Sequence, residues 1–189
     1  MAGTVYVMEG ANLICGDTVS GGDGRAPGVS THLVLQELKL PAMEENYVEH
    51  TPAGAPVGIE VPTHINRLEA TFNLAGWDPD IMKFMGQNQA QYHKFTAYGM
   101  IRDRRTSIAL QALAIMQGRL GRVNPTAFSR GNLMAHEYSI KSIVSYRLYM
   151  QTTVVATEPD PIYEWDFFTS DFMVGGDDIN AEMKRTLAL

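Results

Sequence analysis

The stretch LEATFNLAGWDPDIMKFMG, residues 68–86, joins a strand to a short helix and decides the fold. From Leu68 to Leu74 apolar residues alternate with polar ones, which is the period of a strand with one buried face. Asp78 and Pro79 then predict a helix start, because the aspartate can accept from free backbone amides and proline suits the first helical position. Gly86 is typical of a helix end.

Outward from this stretch, the chain is dominated by segments with the composition of strands. The predicted strands are Thr4–Val7, Leu33–Leu40, Tyr92–Arg102, Thr106–Gly118, Tyr138–Met150 and Ile162–Val174. Thr106–Gly118 is apolar on both sides and is predicted to be a strand buried on both faces, with a helix as the alternative. Arg119–Asn132 is predicted to be a basic loop, and Asp177–Asp178 to cap a terminal helix, Ile179–Leu187.

This order of elements predicts a mainly β protein rather than an alternating α/β one. We expect two packed antiparallel sheets, a β-sandwich or part-barrel, with one or two short flanking helices. The 189 residues suit a single domain, 1–189, and 45% hydrophobic with 19% charged residues is typical of a folded chain. Two segments are predicted to be irregular: a flexible glycine-rich loop at 16–31, and a long loop or arm at 41–62.

Composition excludes several classes of protein. No stretch is long and apolar enough to cross a bilayer, and the N-terminus shows no signal peptide. The single cysteine excludes an internal disulfide and a cysteine metal cluster. A net charge of −6 argues against a protein that grips nucleic acid.

The charges are distributed unevenly along the chain. Residues 41–82 hold seven acids and one base, 83–147 hold ten bases and two acids, and 158–178 hold seven acids and no base. One interpretation is three solvated stretches of a strand protein. The other is self-complementarity, in which an acidic surface of one copy meets a basic surface of the next and sets their orientation.

The sequence contains no recognisable reaction centre. No HExxH, phosphate-binding loop or GxSxG motif is present, and no two of the five histidines have the spacing of helical metal ligands. The acid pairs Asp78/Asp80 and Asp177/Asp178 could bind calcium or act as an acid–base pair, but helix capping and compensation of the helix dipole explain each more simply. We therefore predict no catalytic residue, no cofactor, no metal and no enzymatic activity.

An ordered set of segments from Leu33 onward resembles a known family. It comprises LKLP (38–41), a long loop to VGIEV (57–61), residues 68–86, Gly118–Arg119, YEWD (163–166), GGDD (175–178) and the terminal helix. Together these are similar to the major tail tube protein of contractile-tailed bacteriophages. The chain departs from that pattern in a longer glycine-rich stretch at 16–28, and in HTPAGAP (50–56) where a basic, glycine-rich run is expected.

The resemblance implies a structural virion protein made in the cytoplasm of a bacterial host. Six copies would form a ring, and stacked rings would form the inner tail tube inside the sheath. The tube would hold the tape-measure protein, join the baseplate, and deliver DNA through its lumen without binding it specifically and without a membrane role. The alternative is a ring-forming baseplate or tail-completion adaptor, or another non-catalytic β-barrel binding module.

Two sets of residues are predicted to serve assembly. The expected subunit or ring interface is Glu44, Glu45, Glu49, Ala53, Gly54, Pro56, Glu60, Arg119 and Arg122. The expected lumen residues, from the polar sides of two long strands, are Glu69, Thr71, Asn73, Lys141 and Ser145, together with Ser139. A lumen wall that repels phosphate lets DNA slide, so we expect a net negative potential there.

Overall fold

The computed structural model describes residues 5–16, 28–54, 56–86, 92–127, 131, 134–150 and 160–188. Within them the elements are β1 (Tyr6–Cys15), β2 (Val29–Ser30), β3 (Leu35–Lys39), β4 (Glu45–His50), β5 (Ile59–Ile65), β6 (Ala70–Ala75), α1 (Pro79–Met82), β7 (His93–Asp103), β8 (Ala109–Asn124), β9 (Ala135–Met150), β10 (Asp160–Asp166), β11 (Asp171–Val174), β12 (Asp177–Asp178) and α2 (Ala181–Leu187).

The mainly β fold with two short helices is confirmed, and its strand pairs are antiparallel. The larger sheet has ten strands, with eight in the order β12-β11-β10-β9-β8-β7-β1-β2. The remaining two, β6 and β3, branch from β9. The second sheet is the separate β4–β5 pair.

The larger sheet forks along β9. Residues 135–140 of β9 pair with β6, residues 145–150 pair with β10, and β8 runs along the other side of both halves. At the junction Ser142 has a φ of 51°, in the left-handed region. Opposite it, Gly118 allows a close approach, since a Cβ there would lie 3.0 Å from Ile140 Cγ2 and 3.1 Å from the Lys141 carbonyl oxygen.

The core lies between the two layers that the fork creates. Side chains of β6 pack into one cluster with those of β1, β7, β8 and β9. Phe72 stacks on Tyr138 at 5.0 Å between ring centroids, and both side chains are buried. The alternation read from 68–74 is confirmed, because Leu68, Ala70, Phe72 and Leu74 are all core residues.

The helix that follows β6 starts as predicted, but it ends at Met82 rather than at Gly86. The Asp78 side chain accepts hydrogen bonds from the amides of Asp80 and Ile81, and Pro79 occupies the first turn. Ile81 is fully buried in the core, which fixes α1 against the sheet.

Several predicted boundaries were wrong. β1 is longer than Thr4–Val7, and β8 continues through Arg119 to Asn124, where a loop was expected. β8 also buries one face rather than two, with Leu110, Ala114 and Met116 inside and their neighbours more exposed. Gly118 and Leu120 extend the same buried row. The basic residues of the predicted loop that fall within β8 therefore lie on a strand.

Two segments form hairpins, although one was predicted to be a single strand and the other a loop. Residues 162–174 form β10 and β11, with a turn at 167–170, rather than one strand. The predicted loop at 41–62 contains β4 and the start of β5. Proline at 52 and 56 falls in the connection between them, and Pro62 sits beside a bulge, where its missing amide is tolerated.

Two further predictions were only partly right. Of the glycine-rich loop at 16–31, Val29 and Ser30 form β2 against β1, and residues 17–27 lie outside the described part of the chain. The terminal helix forms at Ala181–Leu187, but its N-cap is Asn180, without a side-chain cap. Asp177 and Asp178 form β12 instead of a cap.

Candidate assembly surfaces

The β4–β5 pair, called the hairpin below (residues 45–65), projects from the rest of the fold. Its strands are exposed at every position except Ile65, which is half-buried. A two-stranded hairpin alone is marginally stable in water, and three or more strands or a packing partner are normally needed. We therefore expect the hairpin to contact another molecule.

The hairpin has two chemically different faces. Val48 pairs with Val61, and His50 pairs with Ile59, so alternation puts these four side chains on one side. Tyr47 pairs with Pro62, and Glu49 with Glu60, on the opposite side. We call the first set, Val48, His50, Ile59 and Val61, the apolar face, and the second set, Tyr47, Glu49, Glu60 and Pro62, the acidic face.

The predicted interface acids are all on or beside this hairpin. Glu44, Glu45, Glu49 and Glu60 are exposed, as are Ala53, Gly54 and Pro56 near its tip. The Tyr47 hydroxyl donates to Glu45, and this hydrogen bond, with the charges of Glu45 and Glu60, raises the pKa of Tyr47. The structure thus brings the acidic members of the predicted interface together.

The predicted basic members lie elsewhere, beside the predicted lumen residues. Arg119 pairs across the strands with Lys141, and Arg122 pairs with Ser139, which in turn pairs with Thr71. Alternation places these residues, with Glu69 and Asn73, on the side of β6, β8 and β9 opposite the core. Residues expected at an interface and in a lumen therefore share one surface.

Two ion pairs and one hydrogen bond connect side chains on this surface. Lys141 Nζ lies 3.4 Å from Glu69 Oε1, and Arg122 Nη2 lies 3.4 Å from Glu137 Oε2. Asn73 Nδ2 donates to Glu37 Oε2 at 3.0 Å. All these side chains are partly exposed, so the pairs contribute little to stability and leave the surface close to neutral.

Two of the predicted lumen residues, Ser139 and Ser145, have surroundings that differ from those of the other four. Ser139 is 1% exposed and does not face solvent in the single chain, so that expectation was wrong. Ser145 lies beyond the fork, where it pairs with Gln117 on β8 and Asp166 on β10. It is therefore on the main sheet rather than on the β6 branch with Glu69, Thr71 and Asn73.

An apolar groove of about 910 Å³, called the slot below, opens at the fork of β9. Lys141, Ser142 and Ile143 of β9 line its middle. One wall consists of the root of the hairpin and residues leading into β6; the other consists of β10, β11 and the start of α2. Sequence reasoning missed the slot, because its walls come from segments that are far apart in the chain.

The second wall is held in place by charged contacts on α2. Lys184 Nζ bonds to Asp171 on β11 and lies 2.9 Å from Asp178 Oδ2 on β12. Hydrogen bonding to Lys184 lowers the pKa of both aspartates. The Ile179 amide also donates to the Phe172 carbonyl at 2.8 Å. Because α2 buries no residue, these contacts fix its position.

Held by these contacts, α2 and Ile179 just before it present an apolar row to their surroundings. Ile179, Met183 and Leu187 recur every four residues, and they are 57%, 44% and 60% exposed. Phe167 and Phe168, in the turn between β10 and β11, are 64% and 70% exposed. The spacing of the α2 residues was the one signal in the sequence that could have revealed this wall.

The described residues lack the features of two other functional classes. Within the described ranges no three His, Cys, Asp or Glu side chains are grouped as a metal site would require. Neither α1 nor α2 has the length and apolarity of a membrane-crossing helix. That the protein has no metal, no cofactor and no enzymatic activity remains a prediction.

The fold is similar to that of a protein from a contractile injection system. A chain of the cryo-EM structure entitled "an Extracellular Contractile Injection System, PVC sheath/tube terminator in extended state" has a TM-score of 0.51 and 8% identity, covering 76% of this chain and 94% of that one. A chain of the anti-feeding prophage (AFP) baseplate has a TM-score of 0.46 and 9% identity, covering 75% and 93%. No curated protein sequence matches.

The family model described as phage tail tube protein FII matches residues 26–187, and the chain belongs to that family. The resemblance noted in the sequence is thereby confirmed. The protein has a structural, tail-tube-related role as a component of a virion tail.

Proposed function

We propose that this chain forms hexameric rings that stack into the inner tube of a contractile tail. The observation that carries the proposal is the hairpin, which is exposed on both faces in a single chain. Such a hairpin gains its stability by packing against another copy. Membership of the phage tail tube family supports the choice of partner.

The ends of the larger sheet support the same conclusion. The outermost strands of its main path, β2 and β12, each have two residues, and among the described residues β3 pairs only with β6. Unpaired strand edges favour association, and closing them around a ring removes them. Strand pairing between copies would extend each sheet into a continuous barrel around the lumen.

The acidic hairpin and two arginines on the next copy form the proposed contact. The acids are Glu44, Glu45, Glu49 and Glu60, and the bases are Arg119 and Arg122. Opposite charges on the two surfaces set the orientation of association more than its affinity. Ala53, Gly54 and Pro56 keep the tip of the hairpin small where it enters the contact.

The lumen is proposed to be lined by polar side chains of β6 and β9. Glu69, Thr71, Asn73, Lys141 and Ser145 are all half-buried in the single chain and available to a channel. Lysine in such a wall grips phosphate, whereas glutamate repels it, so the proposal requires a net negative potential in the assembled lumen. A basic lumen in an assembled structure would contradict this part.

In this role the protein has no catalytic step and needs no cofactor. Its proposed partners are other copies of itself, the tail sheath protein, the tape-measure protein and the baseplate. DNA would pass through the lumen without specific contacts, and no membrane contact is required. The protein would be made in the cytoplasm of the host bacterium and act in the virion tail.

A deletion at the tip of the hairpin tests the proposal. Removing residues 53–58 should leave a folded monomer that does not polymerise, because the tip is exposed in the single chain. Sedimentation velocity, circular dichroism and negative-stain microscopy of both proteins give the readout. Long tubes from the deletion variant would refute the role of the hairpin, and single rings from the wild type would favour an adaptor instead.

A further inference from the structure

The two walls of the slot differ in chemistry as clearly as the two faces of the hairpin. The residues that β10, β11 and α2 contribute are uncharged and mostly apolar. They are Trp165, Phe167, Phe172, Ile179, Asn180 and Met183. We call this the apolar wall.

The opposite wall carries the charged groups. It includes Glu45, His64, Arg67 and Glu69, with Lys141 at the middle of the slot. Lys141 pairs with Glu69, whereas Arg67 has no ion-pair partner among the described residues. An unpaired guanidinium at the edge of an apolar groove favours an anionic side chain on whatever enters. We call this the polar wall.

The hairpin of the same chain leaves the slot open. Its root contributes lining residues such as Glu45 and Ile65, but Val48, Ile59 and Val61 are not among the residues that line the slot. These three side chains are 55%, 59% and 42% exposed. Each chain therefore has one uncovered apolar hairpin face and one open apolar slot.

We propose that the slot of one copy receives the hairpin of a second copy. This rests on the proposed function and changes it in two details. The acidic face meets Arg67 rather than Arg119 and Arg122, and Glu69 and Lys141 are covered by the hairpin rather than exposed in the lumen. The apolar face would pack against the apolar wall, removing both from water. The acidic face would then meet the polar wall, where Glu49 and Glu60 supply the anions that Arg67 lacks.

Such a contact joins different surfaces of the two copies. Since each copy carries one hairpin and one slot, every copy can give its hairpin to one neighbour and receive one from another. Contacts of this head-to-tail kind produce closed rings or open filaments rather than isolated dimers. The proposed contact can therefore repeat from copy to copy without a second type of subunit.

A cysteine crosslink between two differently labelled copies tests the contact. Ile59→Cys is placed in one protein and Met183→Cys in the other, and the two are mixed under assembly conditions with a short bismaleimide linker. The control mixes Ile59→Cys with Leu33→Cys, since Leu33 is 90% exposed outside the slot. The native Cys15 is fully buried and common to all three proteins.

The slot contact predicts about tenfold more crosslinked heterodimer for the Ile59–Met183 mixture than for the control, because docking raises the effective concentration of the two thiols. Equal yields from proteins that still form tubes would overturn the slot contact and leave the tube proposal standing. Proteins that remain monomeric throughout would overturn both.

A charge exchange provides a second, independent test. Glu60→Arg should raise the concentration needed for assembly about tenfold, because it places a cation against Arg67. Adding Arg67→Glu to the same chain should restore assembly, since the two charges are then exchanged. Circular dichroism confirms that each variant folds. Failure of the second change to rescue a folded variant would contradict the pairing of Glu60 with Arg67.

Discussion

Glu49 lies directly opposite Glu60 across the two strands of the hairpin, and both carboxylates are exposed. Like charges at opposed positions destabilise a strand pair, by roughly 0.2–1 kcal/mol. The hairpin is thus less stable alone than its composition would allow. An arrangement of this kind is favourable only where another surface supplies positive charge, which is what the proposed assembly provides.

The first prediction concerns Glu60→Lys. The substitution replaces the repulsive pair with an attractive one, so the free hairpin should become more stable by roughly 0.2–1 kcal/mol. Assembly should weaken at the same time, because the acidic face loses its charge. Hydrogen exchange of the hairpin amides in monomer, together with sedimentation velocity, measures the two effects. A variant that assembles better than the wild type would contradict the proposed role of the acidic face.

The second prediction concerns Lys184→Met, which removes the cation shared by Asp171 and Asp178. Because α2 buries no residue, it should detach from β11 and β12 in the variant. The NMR resonance of the Met183 methyl group reports the change. Arg185→Met, which removes the same charge from an exposed position of the same helix, should leave that resonance unshifted. An attached helix in Lys184→Met would show that other contacts hold it.

The same contact predicts how α2 responds to acid. Hydrogen bonds from Lys184 lower the folded-state pKa of Asp171 and Asp178. Their contribution is therefore complete above the unfolded-state value of about 3.9 and is lost as pH falls through the lower folded-state values. The Met183 resonance should stay constant from neutral pH down to about 4 and move below it. A transition near neutral pH would mean that a titratable group other than these two aspartates causes the change.

The third prediction concerns the stacked rings of the core. Phe72→Ala removes a buried ring that stacks on Tyr138, and it should lower the free energy of unfolding by about 3–5 kcal/mol. Phe168→Ala removes the same side chain from a position that is 70% exposed, and should change stability by less than about 0.5 kcal/mol. Urea denaturation compares them. Similar losses from both would mean that the exposed ring is buried in solution.

The fourth prediction concerns the helix cap. Asp78→Ala removes the acceptor for the amides of Asp80 and Ile81, and should cost about 1 kcal/mol. Asp78→Asn retains an acceptor oxygen and should restore most of that stability. Thermal denaturation distinguishes the two variants. Equal stability of the alanine and asparagine variants would mean that the cap contributes nothing.

Prediction from the sequence was most accurate for strands that bury one face. Residues 68–86 show this, because alternation and a proline after an N-cap aspartate act locally and need no distant partner. The hairpin was missed because its prolines and acids are typical of loops. Its β-branched residues, Val48, Ile59, Val61 and Thr63, were the signal for strands, and they are exposed rather than buried.

The slot could not be predicted from sequence. Arg67 lies between β5 and β6, Ile143 in β9 and Met183 in α2, and only the fork of β9 brings them around one groove. Likewise, the predicted interface and lumen residues coincide because β8 and β6 pair with the same strand, β9. Local periodicity specifies each strand, whereas the pairing partners of β9 are decided by packing along the whole chain.

Cryo-electron microscopy of the purified protein, imaged over a range of concentrations, tests the central claim most directly. We predict hollow tubes of stacked six-membered rings in which each hairpin is buried between neighbouring copies. A chain that stays monomeric at every concentration, or tubes in which both faces of the hairpin remain exposed to solvent, would contradict it.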